Sequence, residues 1–441
     1  MKDYYLEYLE ELERSLKEDM ARLDERTLMA GPYSMRRPLL NYLWCSMLKG
    51  RDEYNTLRQA GATRAEAIAG SRLGEIRIGR EFKRQVAEMR EHPWYKALRG
   101  LRGRTVFFCS GKRNVEYMRP VIERYGGEAV VLTDADCSGE AWPSARKAVV
   151  GLELAWLCFY DSPFLEQETP YFFAYVNTLL MLMEALEPAR VVVNDGCQTK
   201  YMIVGEYCRT AGKRAVCIQQ GWPSIIHAGF RGLPYSEFLT WGEGYGPLLG
   251  AHNEGMRMRE CGYAYEVKDG GEERRGIGFF LQEQLFIADE RSEQMMEETI
   301  VRTARKYGER PIYVRRHPLC RQEGGRIAGE GLRNVVIADG MPIEEMMRRC
   351  HVAVSHFSSC IMESTIHGCI PVVLDPASGS RYNPDIEKEG LGYITTNPEE
   401  AEAAIEAALK RRCACQRGKW CEATGAEAAE RICRAIEGEE I

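Results

Sequence analysis

The sequence predicts an α/β chain in which two consecutive parallel-sheet domains follow a helical N-terminal extension. Three observations predict it. At 441 residues the chain exceeds what one hydrophobic core organises, and 45% hydrophobic residues are enough to fill two. From residue 105 onward, short β-branched or aromatic runs alternate with segments of helical period, an order that requires a parallel sheet covered on both faces. This alternation breaks once, at the polar, glycine-containing stretch 268–276, and then resumes.

Residues 1–100 place Leu, Glu, Arg and Met at helical spacing, interrupted at Gly31-Pro32, Gly61 and Gly70, and no strand is expected there. The last part of this extension, residues 72–104, carries Arg77, Arg80, Lys83, Arg84, Arg90, Lys96, Arg99 and Arg102 against few acids. Such a run is either a solvated helix face or a docking surface for an anionic membrane or lipid-phosphate acceptor. A first domain over 101–267 has expected strands at 105–109, 129–132, 191–194, 215–219 and 238–241. A second domain over 276–441 has them at 276–281, 311–315, 334–337, 351–355, 370–374 and 391–395. Its clearest helix begins with Asn397 as N-cap, Pro398 in the first helical position and Glu399 and Glu400 in the first turn. An amphipathic segment at 422–436 is expected to close this domain.

Composition removes several classes of function. A net charge of −6 with both signs interspersed gives no global attraction to nucleic acid. The sixteen cysteines lack paired CxxC spacing and many lie in apolar runs, as expected of small buried hydrophobes in a reducing compartment. Cys413, Cys415 and Cys421 fit no zinc pattern, and no metal or other cofactor is expected. The start of the chain lacks the order of a signal peptide, and no stretch reaches the roughly 18 apolar residues of a membrane span. The expected location is cytoplasmic.

Ligands of paired parallel sheets bind at the carboxyl ends of strands. At one such end, Val354-Ser355 runs through His356-Phe357 into Ser358-Ser359 and a helix that carries Glu363. Hydroxyls and free backbone N–H groups at a strand-to-helix turn suit a phosphate, although either serine could equally serve only as a cap. Another expected strand ends in Arg316-His317-Pro318, where a guanidinium and an imidazole can both donate to a phosphate.

His317-Pro318, then Ser358-Ser359, then Glu363 with Gly368 and Pro371-Val372-Val373, resembles the donor half of bacterial GT-B glycosyltransferases of capsule and surface-polysaccharide assembly. Polysialyltransferases and the glycerophosphotransferases that use CDP-glycerol share this look. The resemblance covers about residues 310–376 and implies two Rossmann-like domains, with a nucleotide-activated sugar between them as substrate. It implies that His317, Ser358 and Ser359 hold donor phosphates and that Glu363 binds the ribose; Arg316, a guanidinium beside His317, is expected to hold phosphate with them, and His317 to act in catalysis.

In the first domain Asn194-Asp195-Gly196 is similar to the acidic-acidic-Gly motif of bacterial sialyltransferases, with an amide in the place of the usual base. Either Asp195 acts instead or deprotonation occurs elsewhere. Gln219-Gln220-Gly221-Trp222 lies where related enzymes often show Gln-His-Gly, and His227 is near enough in sequence to serve the acceptor side with them. Asp134-Ala135-Asp136 has the spacing of a GT-A metal site, and Ser110 to Arg113 is either an anion-receiving loop or a plain surface turn. The implied reaction is transfer of a sugar or polyol phosphate to a saccharide or lipid-linked hydroxyl acceptor. A UDP-sugar epimerase and a non-catalytic sugar-nucleotide-binding scaffold remain as rivals.

Overall fold

The structure, a computed structural model, describes residues 4–47, 51–71, 97–135, 147–151, 160, 162–222, 226, 228–268, 274–282, 290–317, 331–356, 358–375, 384–413 and 418–440. The basic stretch 72–96, His227 and Pro318 lie outside them.

The N-terminal extension is helical, with helices at Tyr5–Ala21, Arg36–Met47, Arg51–Gln59 and Arg64–Gly70. Against expectation it also holds an antiparallel pair, β1 (Met29–Ala30) and β2 (Tyr33–Ser34), folded about Gly31, whose φ of 57° favours glycine. Strands of two residues are too short to show a period in sequence. The extension is no separate body, because Met20, Leu28 and Leu39 share one buried cluster with Val106, Phe172 and Val191 of the first domain.

The first domain is a seven-stranded parallel sheet in the order β5-β4-β3-β6-β7-β8-β9. The strands are β3 (Thr105–Cys109), β4 (Ala129–Thr133), β5 (Lys147–Gly151), β6 (Arg190–Asn194), β7 (Arg214–Ile218), β8 (Glu237–Thr240) and β9 (Arg257–Glu260). The two edge strands, β5 and β9, were not expected. The β9 run Arg-Met-Arg-Glu shows why, since charged residues guard a sheet edge and hide its β character.

The second domain is a six-stranded parallel sheet in the order β12-β11-β10-β13-β14-β15. It consists of β10 (Gly276–Phe280), β11 (Ile312–Arg315), β12 (Val335–Ile337), β13 (Cys350–Ser355), β14 (Ile370–Leu374) and β15 (Tyr393–Thr395). Asn397 caps the Pro398–Lys410 helix as its sequence predicts, with the side chain accepting from the Glu400 N–H at 2.9 Å. Arg274 closes the linker by donating from a buried guanidinium to the carbonyls of Met347, Cys350 and His367.

The final helix, Gly425–Glu437, does not close the second domain. It returns to the first, where Ile432 and Ile436 pack with Val121 and Val192, and Arg190 and Arg214 donate to the Ile436 carbonyl. An apolar seam joins the halves: Trp222, Trp241, Tyr245 and Tyr263 pack with Ile361, Met362 and Val373, and with Trp420 of the returning segment. In each sheet the chain leaves the first-formed strand in one direction and comes back on its other side. The resulting switch points lie between β3 and β6 and between β10 and β13. Among the described residues no helix is long and apolar enough to cross a membrane.

Candidate functional site

At the first switch point, β6 delivers Asn194 to the sheet edge and the backbone then turns sharply. Asp195 has φ of 66° and Gly196 has φ of 75°. A side chain at Gly196 would press on Cys217 Sγ and the Tyr235 ring, so glycine is required there, and the strain falls on Asp195. The Asp195 carboxylate accepts from Cys197 Sγ at 3.1 Å. Burial pushes its pKa up, partly offset by that thiol bond and by the charge of Arg113.

Asn194 is wholly buried and fully engaged. Its Nδ2 donates to Asn114 Oδ1 at 3.0 Å and to Gln220 Oε1 at 2.9 Å, and its Oδ1 accepts from the Tyr201 hydroxyl at 3.2 Å. Tyr201 OH in turn accepts from the Ser110 N–H and from Asn114 Nδ2, both at 2.9 Å. This amide network ties the loops after β3, β6 and β7 together. Sequence reasoning singled out neither Asn114 nor Tyr201, and the available signal for Asn114 was a polar residue five positions after the end of a buried strand.

Gln219 also acts within the protein. Its Nε2 donates to the Gly221 carbonyl at 3.0 Å and its Oε1 accepts from the Trp241 N–H at 2.9 Å, so it shapes the loop instead of projecting from it. Tyr117 OH and Trp241 Nε1 both donate to the Gln219 carbonyl. Trp222 is buried in the interdomain seam.

The loop 219–222 is one of the places where the two halves touch. The Trp222 N–H donates to Ser359 Oγ at 3.1 Å. Ser359 therefore makes no side-chain cap on its own helix, Cys360–Ile366, while Ser358 Oγ accepts from the Cys360 N–H at 3.3 Å. As acceptors in these bonds, both hydroxyls keep their protons for donation. One turn on, Glu363 is half-buried, and burial raises its pKa to about 7 against the opposing charge of Arg113, with Glu344 adding to the rise. Tyr117 and Arg113 stand four residues apart on one helix, as Glu363 and Ser359 do on another, and both helices meet the 219–222 loop.

Arg316 and His317 leave the end of β11, two strands from the serine pair. The Arg316 N–H and Nε donate to the Asp339 carboxylate at 2.8 and 2.6 Å, and His317 is partly buried. Asp134 is engaged by Lys200 at 2.7 Å and by Ser110, and Asp136 lies outside the described residues. Among the described residues no group of three or more His, Cys, Asp or Glu is placed to hold a metal ion.

No protein-family model and no curated protein matches the chain. Solved structures do. A Listeria monocytogenes protein assigned as a UDP-N-acetylglucosamine 2-epimerase is similar with a TM-score of 0.54 at 14% identity, over 76% of this chain and 96% of that one. The UDP-GlcNAc 2-epimerase of Neisseria meningitidis, bound to UDP-GlcNAc, gives 0.53 at 11% identity over 76% and 100%. That of Methanocaldococcus jannaschii, in complex with UDP-GlcNAc and UDP, gives 0.52 at 12% over 76% and 99%. The fold is the GT-B arrangement of two Rossmann-like domains. At such identities the likeness speaks for the fold.

Proposed function

We propose that this GT-B protein transfers a glycosyl or polyol-phosphate unit from a nucleotide-activated donor to a hydroxyl acceptor. The observation that carries this reading is the contact of Trp222 with Ser359, because it joins the ligand-binding edges of both sheets in one crevice. Proteins of this fold named above include complexes with UDP-GlcNAc, a donor of the class proposed.

In this reading the second domain holds the nucleotide. Adjacent strands lie about 4.8 Å apart, so the ends of β11 and β13, on either side of β10, are separated by roughly 10 Å. Side chains reaching inward from both ends suit a diphosphate, with Ser358 and Ser359 donating at one end and Arg316 and His317 at the other. These groups meet the charge that grows on the departing phosphate, and the reading uses no metal ion. Glu363, protonated for part of the time near neutral pH, can both donate to and accept from ribose hydroxyls.

The first domain presents the acceptor. Asp195 is the base, its pKa raised toward the range in which a carboxylate removes a proton effectively. Asn194 and Gln219 hold the acceptor loop in place, Gln220 and Gly221 form its surface, Trp222 anchors it in the interdomain seam, and His227, outside the described residues, is assigned to the acceptor from its place in the sequence. Surface-polysaccharide assembly at the cytoplasmic membrane face, with residues 72–104 as docking surface, is the setting this reading implies.

A second reading, binding without turnover, is favoured by Asn194, an amide bonded on three sides where related enzymes carry a base. Incubation with CMP-, CDP-, UDP- and GDP-linked donors, with and without saccharide acceptors, followed by mass spectrometry, separates the cases. Donor consumption that requires acceptor supports transfer. Isomerisation of a UDP-sugar alone makes the protein an epimerase, and thermal stabilisation without consumption makes it a binding protein.

A further inference from the structure

On the carboxyl edge of the first sheet, two strands from Asn194, stands a polar cluster that the proposed chemistry does not use. The Asp134 carboxylate, just past β4, accepts from Lys200 Nζ at 2.7 Å, from Ser110 Oγ at 2.9 Å and from the Gly111 N–H. The backbone of Asp134 is open to solvent, but its side chain is 25% exposed and that of Lys200 22%. Burial pushes the Asp134 pKa up, and the bonds from Lys200 and Gly111 more than offset it, so the carboxylate is ionised. The cluster is joined to the crevice, because the Ser110 N–H donates to the Tyr201 hydroxyl that bonds Asn194.

From Lys200 a row of tyrosines leads outward. The ammonium lies 4.9 Å from the centroid of the Tyr175 ring. Tyr175 and Tyr171 stand one turn apart on the Pro170–Leu186 helix, about 6 Å along its axis. Tyr42, on the Arg36–Met47 helix, neighbours both: burial first, and then these two phenols, raise its pKa. Tyr42 and Tyr175 are half-buried, whereas Tyr171 is 57% exposed, the one aromatic among the exposed large hydrophobics of the described residues. A single exposed ring needs no explanation, but this one ends a row that begins at the candidate site.

The row selects a chemical class. Tyrosine rings present flat apolar faces, on which the C–H sides of sugar rings pack, and polar tips that bond hydroxyls. The Asp134–Lys200 pair carries no net charge, while its fixed carboxylate accepts from hydroxyls and its ammonium donates to them. A single strand of nucleic acid also stacks on aromatic rings, but it needs a cationic groove, and here Asp134 cancels Lys200. A lipid tail would leave the ion pair without water. We infer that Asp134, Lys200, Tyr175, Tyr171 and Tyr42 form a subsite for a neutral oligosaccharide, which holds the acceptor's sugar chain beyond its reacting hydroxyl. This inference rests on the transfer reading above and gives its acceptor a class: a saccharide of at least two units, one for each of Tyr175 and Tyr171.

The test is calorimetric titration of the full chain with maltotriose, triacetylchitotriose and xylotriose, using spermidine and inorganic phosphate as charged comparators. At least one trisaccharide is expected to bind. Tyr171→Ala, at an exposed helix position, should weaken that binding about fivefold or more, while Tyr171→Trp, which keeps a flat face, should stay within about twofold of the parent. Both variants should keep the parent's thermal midpoint. Lack of binding by all three trisaccharides overturns the inference, as does binding that Tyr171→Ala leaves unchanged, or a preference for phosphate or spermidine. Binding is read without turnover, so the two readings fail separately. Trisaccharide binding lost in Tyr171→Ala but without donor consumption sinks the transfer reading and leaves the subsite standing. Acceptor-dependent donor consumption without trisaccharide binding sinks the subsite alone.

Discussion

The backbone N–H of Trp222, at the end of one sheet, donates to the hydroxyl of Ser359, at the end of the other, at 3.1 Å. This bond orients the hydroxyl, because an oxygen that accepts from Trp222 turns its own proton elsewhere. It also leaves no room beside it. A side chain at Gly221 would collide with Ser359 Oγ and come within 3.1 Å of Ser359 Cβ.

Gly221→Ala should therefore cost about 1–3 kcal/mol of stability, the usual penalty of overpacking. Ser359→Ala alone should cost about 1 kcal/mol, since it leaves the Trp222 N–H without its acceptor. The two residues touch, so their effects should not add, and the double variant should be more stable than the sum of the single effects implies. Urea denaturation of the four proteins measures this. Strict additivity would mean that the interdomain contact is not made in solution.

The parallel-sheet fold was legible because its central strands are continuous apolar runs: Thr-Val-Phe-Phe-Cys in β3 and Ile-Pro-Val-Val-Leu in β14 are buried along their whole length. Edge strand β9 was not, since only one of its four residues is buried and three are charged. The same distinction runs through the site. Glu363 and the serine pair stand where a strand-to-helix turn places polar groups, a pattern local in sequence. Asn194 is tied to Asn114 across 80 residues and to Gln220 across 26, and such partners declare themselves only when the sheet brings strand ends together. The amphipathic period of the last helix showed that it packs on something, but a period carries no address, and the partner proved to be the first domain.

Asn194→Asp tests whether the amide is a lost base or a brace. An ionised Asp offers no donor to the oxygens of Asn114 and Gln220 that Asn194 now satisfies, in a place with no exposure. The variant should lose about 2–4 kcal/mol of stability. Its turnover per folded molecule should not rise. An increase of about tenfold or more in turnover would instead identify the position as the natural place of the base.

Glu363 gives a pH signature. Its folded pKa of about 7 exceeds its ordinary value of 4.5, chiefly through burial, so the folded protein holds this proton more tightly than the unfolded chain. The unfolded chain binds fewer protons between these values, and stability must fall as pH rises from 4.5 through 7, then level off. The full effect is at most about 3 kcal/mol. Glu363→Gln removes the titration, so the stability difference between wild type and variant should favour wild type at pH 5 relative to pH 8. A difference independent of pH would place the carboxyl in solvent.

Two histidines of the second domain should behave in opposite ways. His351 sits at the start of β13 with Nε2 3.0 Å from the Arg411 carbonyl and 3.2 Å from that of Ala408, tying the strand to the end of the Pro398–Lys410 helix. His351→Ala should lower stability by about 1–2 kcal/mol and leave turnover per folded molecule unchanged. His317 follows Arg316 at the carboxyl end of β11, on the side where ligands of parallel sheets bind. If it donates to the departing phosphate, His317→Ala should reduce kcat by about a hundredfold or more, with little change in the thermal midpoint. Steady-state kinetics and thermal denaturation on the same preparations decide the matter. Equal turnover in the two variants would remove His317 from the chemistry and leave the serine pair to hold the phosphates alone.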